Sequence, residues 1–177
     1  MTGTENQKFT IDQAGKDLFN FALDREDVKM LVTSLPKEAS CNPAAVEYEL
    51  QLLKIISTGW SISFFLGRNP VKDQLADEYW KSIHVFAQNL SETTGLMTGH
   101  AISYFQIIKD RLHMYVAAMA DKPKPVEPAA VIGPVFAEHC GNAEDVFTIM
   151  AGSRMFMNTV AKVREYFDAA SIATAEY

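Results

Sequence analysis

The sequence predicts an all-α fold, a single-domain helical bundle with about five main helices after two short N-terminal helices. Three observations lead there. No stretch alternates apolar and polar residues for long enough to make a half-buried strand, whereas apolar residues recur at three- and four-residue steps from end to end. Helix starts and stops are marked at intervals by Asp24, Pro36, Asn42-Pro43, Gly67, Asn69-Pro70 and Gly141-Asn142. Residues 55–67, 93–108 and 146–161 carry almost no charge, with Arg154 the one cation and His100 the one histidine among them. A surface helix keeps a polar face, so these three segments are expected inside the assembly.

The first short helix spans 11–22, with Ala14, Leu18 and Phe21 on one side. The second spans 25–35, capped by Asp24 and stopped by Pro36. Asn42 as cap and Pro43 at the first helical position open a long helix running to Leu66. Pro70 opens the next, which reaches Leu90 with Leu75, Tyr79, Ile83, Phe86 and Leu90 along one stripe. Asn89 or Ser91 can cap a further helix that continues through Met119. Residues 121–128 hold Pro123, Pro125 and Pro128 among charges and read as an extended connector. A short helix follows within 129–140, with Pro134 as a kink or a start, and a last helix spans 143–170. Gly59, Ser63 and Gly67 on one helix and Gly95, Gly99 and Ser103 on another recur every fourth residue. That spacing predicts close contact between the two helices.

Composition bounds the function. The 177 residues, 48% hydrophobic and 21% charged, match one globular domain, expected over 9–177 behind a disordered tail at 1–8. A net charge of −6 with no Lys/Arg cluster argues against a nucleic-acid surface. Residues 1–8 lack the basic-then-apolar pattern of a secretory signal, so a cytoplasmic location is expected. The longest uninterrupted uncharged run, 55–67, falls short of the ~20 residues a membrane span needs. Cys41 and Cys140 form no CxxC pair and offer no zinc-ligand spacing. Cys140, just before the expected helix end at Gly141, is disfavoured as a thiolate by the helix dipole, whereas Cys41 ahead of a helix start is not.

Two polar groups in the uncharged segments call for partners. His100 shares a helical stripe with Met97, Tyr104, Ile107 and Arg111, which makes it either a satisfied core histidine or a contact to a ligand or haem-like cofactor. Arg154 lies among Phe147, Met150 and Met157, and a buried guanidinium requires an anion: Glu47, Glu49, Asp77 or Glu78, or an anionic ligand. Asp110 and His113 have a metal-pair spacing, but no second pair accompanies them, so no metal is expected. Nucleophile-elbow, Walker and Rossmann motifs are all missing, and the sequence specifies no cofactor. The expectation is a non-enzymatic bundle that associates with itself, as a homodimer, or with another protein. The alternative is a small-molecule or cofactor-binding protein with a pocket between the central helices, lined by His100, Tyr104, Arg111 and Arg154 and open to a small anionic ligand.

Overall fold

The computed structural model describes residues 10–122 and 127–172, and among them there are seven helices and no strand. They are α1 (Ile11–Leu23), α2 (Glu26–Thr33), α3 (Pro43–Leu66), α4 (Lys72–Thr98), α5 (Tyr104–Ala120), α6 (Pro128–His139) and α7 (Val146–Ala169). The tail at 1–8 and residues 123–126 of the proline-rich connector lie outside the described residues. No described helix is long and apolar enough to cross a membrane.

The bundle is arranged around α3. Asn42 accepts a hydrogen bond from the Ala44 backbone N–H (2.8 Å), Pro43 occupies the first turn, and Gly67 ends the helix. Every residue from Leu52 to Gly59 is buried, and α3 packs against each of the other six helices. Two of its buried hydroxyls are satisfied by its own backbone, Thr58 donating to the Lys54 carbonyl (2.9 Å) and Ser61 to that of Ser57 (2.7 Å). Tyr79 of α4 donates its phenol to the Ile55 carbonyl (2.7 Å). Lys54, 1% exposed, donates to the Asp24 carbonyl (2.8 Å), lies 3.3 Å from the Asp27 carboxylate and sits over the Phe21 ring. One buried cation thus pins the whole α1–α2 corner onto α3.

The expected contact between the two small-residue stripes is not formed. A Cβ at Gly59 would lie 2.2 Å from the Trp80 indole, so this glycine makes room on α3 for a large side chain of α4 and not for the stripe of Gly95 and Gly99. Gly99 serves a different purpose. It takes a left-handed φ of 71° as the C-cap of α4, with nothing within 4 Å of a Cβ built on it.

That cap corrects the expected helix over 93–108. The segment is the end of α4, a link at 99–103 and the start of α5, and it is largely exposed, Leu96 by 89% and Met97 by 82%. Its lack of charge comes from Thr, Gly, Ser and Ala, which need no burial. Asn89 and Ser91 lie within α4 and the N-cap of α5 is Ser103, although the Tyr104 backbone N–H donates to the Ser91 hydroxyl, thirteen residues upstream, at 3.1 Å. The segment 146–161 is likewise only half buried. One face of α7 presents Thr148, Ala151, Met155, Phe156 and Thr159 to the core, while Phe147, Met150, Arg154 and Met157 face outward. Pro134 lies inside α6, which begins six residues earlier at Pro128.

Asp145 joins α7 to the start of α3. Its Oδ2 accepts from the backbone N–H groups of Ser40 (2.9 Å) and Cys41 (3.1 Å) and from the Thr148 hydroxyl (2.9 Å), and Oδ1 caps α7 at Phe147 (3.1 Å). Burial opposes ionisation of this carboxyl, but the bonds from Thr148, Cys41, Ser40 and Phe147 together outweigh it and bring the group down to about 2. Removing it by Asp145→Ala should cost ~1–2 kcal/mol at neutral pH, as loss of a helix cap does. A depressed folded-state value contributes stability that is complete above about pH 4 and disappears as the pH falls through about 2. Urea unfolding of the two proteins should therefore converge toward pH 2, and a gap that stays constant over that range contradicts this account.

Candidate ligand-binding cleft

Along one stripe α3 borders a gap between its neighbours, with Leu52 and Ile55 buried at its base. Ala44, Glu47, Tyr48, Gln51, Leu52 and Ile55 recur at helical spacing and face a cleft of about 510 Å³. Leu23 and Arg25 from the α1–α2 corner form one wall, Phe86, Ala87 and Leu90 of α4 another, and Tyr104 and Ile108 of α5 the end. The gap exists because the corner is held by Lys54 further along α3, while α5 is offset by the link at 99–103. Its volume is that of a site for a small organic molecule, and its walls are mainly apolar with a few polar groups, as such sites are.

Those polar groups are individually placed. Arg25 and Glu47 form an ion pair at the mouth. Gln51 donates its Nε2 to the Ala22 carbonyl (2.7 Å), a last-turn carbonyl of α1, and its Oε1 is buried with no partner. The amide orientation is fixed, since a carbonyl can only accept and the nitrogen must face Ala22. Burial, with Glu49 and Tyr104 adding to it against Arg111, raises the Tyr48 phenol above its ordinary range and keeps it a neutral donor at physiological pH.

Behind Tyr48 lies a closed polar cluster. Glu49, 4% exposed, receives two hydrogen bonds from Arg111, from Nε at 3.0 Å and Nη2 at 2.8 Å. The bond to Glu49 raises the Arg111 guanidinium further. Burial, then the Glu49 charge, pushes both the Tyr115 phenol and the Cys140 thiol far up, and burial followed by Arg111 lowers the His139 imidazole. Tyr115 Oη and His139 Nε2 are buried without hydrogen-bond partners, their rings edge to face at 5.8 Å. Burial thus holds the thiol and the phenol protonated and the imidazole as its neutral base. Cys41 and Cys140 are both buried and free.

The four residues singled out from sequence do not share a pocket. Tyr104 lines the cleft, and Arg111 lies one layer behind it on Glu49. His100 is exposed in the link after α4, its backbone N–H donating to the Thr98 hydroxyl at 3.2 Å, so it needs no internal partner. Arg154 is exposed beside a shallow groove of about 70 Å³ with Leu31, Leu35, Phe147 and Met150. The buried arginine–carboxylate pair does exist, but Arg111 makes it. Asp110 and His113 are exposed, Asp110 accepting from Gln106 at 2.8 Å, and no group of three potential ligands that could hold a metal occurs among the described residues. Arg25, Glu47, Tyr48 and Gln51 were not anticipated as site residues, although the spacing of the polar residues on α3 could have drawn attention to them.

No family model matches the chain, and no curated protein and no solved structure matches it either.

The two arginines should respond in opposite ways to the same substitution. Arg111→Met strands the buried Glu49 carboxylate and should cost ~3 kcal/mol, whereas Arg154→Met should shift stability by less than ~0.5 kcal/mol. Urea unfolding at neutral pH measures both, and equal losses would contradict the assignment of the buried pair.

Proposed function

We propose that the chain is a binding protein whose cleft between the α1–α2 corner, α3, α4 and α5 takes a small amphipathic molecule. The observation that carries this reading is a cleft of about 510 Å³ whose mainly apolar walls carry a few polar side chains, Arg25, Glu47, Tyr48, Gln51 and Tyr104. The reading includes a cytoplasmic setting, with which two free buried thiols agree. N-phenylnaphthylamine, an uncharged dye that fluoresces in apolar surroundings, is the first probe. Saturable one-to-one binding is expected, together with its loss in Ala44→Trp, where the exposed rim residue is enlarged into the cleft and the fold is left intact. Absence of saturable binding, or undiminished binding by the variant, contradicts the reading.

A second reading is self-association as a homodimer, favoured by the exposed Phe147, Met150 and Met157 along α7 and by Met30 on the adjoining α2. Apolar groups in such a row form a surface suited to a protein partner. Sedimentation equilibrium should show dimers that Met150→Glu dissociates, and a monomer throughout the micromolar range excludes it.

A further inference from the structure

On α7 the exposed side chains Phe147, Met150, Arg154, Met157 and Ala161 follow one another at steps of three and four residues, the spacing of a seam between two helices. An interface between two copies related by a two-fold axis has to be complementary to itself, so each feature must find its match on the same face. This face carries two matched pairs. Phe147 stands exposed beside a shallow groove of about 70 Å³ lined by Leu31, Leu35, Met150 and Ala151. Arg154 and Glu144 are both exposed, and among the described residues neither makes an ion pair. When a helix pairs antiparallel with its own copy, residues equally far from the axis on opposite sides meet. Phe147 and Ala151 lie two residues either side of Ile149, and Glu144 and Arg154 lie five residues either side of it. One axis therefore serves both pairs.

We infer, resting on the self-association reading above, that the α7 face binds the α7 face of a second copy, antiparallel about a two-fold axis level with Ile149. Each Phe147 then enters the groove of the other copy, and each Arg154 meets the other copy's Glu144. Charge sets the register. A parallel pair would set like on like, Arg154 against Arg154, as would an antiparallel pair moved to an axis at Arg154. Two chains that each carry a net charge of −6 repel as wholes, so a local contact between opposite charges is what orients them. An unrelated partner would need to fit only one side of each pair, whereas this face holds both sides at matched distances, as a face that binds itself does.

Charge reversal on the full chain, read by sedimentation equilibrium, tests it. Arg154→Glu and Glu144→Arg should each weaken the dimer about tenfold, because the axis repeats every like-charge contact twice. Both residues are exposed, so circular dichroism should show the helices of both variants unchanged. The double variant should return to within about threefold of the unaltered protein, and an equimolar mixture of the two single variants should dimerise at concentrations where neither does alone. Glu144→Arg separates this pairing from general repulsion, since it lowers the net negative charge and would strengthen a dimer governed by net charge alone. A dimer that Met150→Glu dissociates but that neither reversal weakens, or one that neither the double variant nor the mixture restores, overturns the register and leaves self-association standing. An unaltered protein that stays monomeric throughout the micromolar range leaves the face to another occupant and overturns both.

Discussion

A helix enclosed by other helices must find partners for its polar side chains inside the protein, and α3 carries several. Lys54 finds the Asp24 carbonyl, Asp27 and the Phe21 ring; Glu49 finds Arg111; the Ile55 carbonyl receives Tyr79. Each of these contacts locates a different neighbour: the α1–α2 corner, α5 and α4 in turn. Asp145 adds a fourth, tying the N-cap of α7 to the segment that leads into α3. The apolar packing of α3 is large but indifferent to register, whereas a buried charge without its partner costs several kcal/mol, so the polar groups select one arrangement among many that would bury similar area. Ser57 Oγ is the α3 hydroxyl left without a partner.

The cleft is a consequence of the same arrangement. Where Lys54 and Tyr79 draw neighbours onto α3, the helix is buried; toward its N-terminal half, Glu47 and Gln51 bind Arg25 and the Ala22 carbonyl of the corner, and the cleft lies between the corner, α4 and α5. Along α3 a closed half, held by its polar side chains, thus adjoins a half that borders the cleft. The protonation states of Tyr115 and Cys140 are set by burial and then by the Glu49 carboxylate, that of His139 by burial and then by Arg111.

Helix boundaries were legible wherever they rest on local chemistry. Asn42 and Pro43 at the start of α3, Gly67 at its end and Pro36 after α2 act through one or two neighbouring residues, and those are visible in the chain. Gly99 was not legible, because a left-handed cap and a close helix contact both call for glycine and the sequence does not say which applies. The absence of charge misled at 93–108 and at Arg154 for a related reason: hydroxyls and glycines tolerate water, and α7 is apolar on a face that nothing described covers. The need for a buried arginine–carboxylate pair was readable, and Glu49 was among the partners considered. Which arginine reaches it depends on how α5 lies on α3, a tertiary fact with no local signature. The cleft belongs to the same class, since a gap is made by where neighbours stop.

The most direct test of the cleft as the place where α3 is open to a ligand is a methyl-resolved NMR titration with decanol. Leu, Ile and Met methyls report on the cleft and on the α7 face in one experiment. This account predicts saturable shifts confined to Leu23, Leu52, Ile55, Leu90 and Ile108, with Met150 and Met157 unmoved. Shifts centred on Met150, Met157 and Leu31, with the cleft methyls silent, would contradict it.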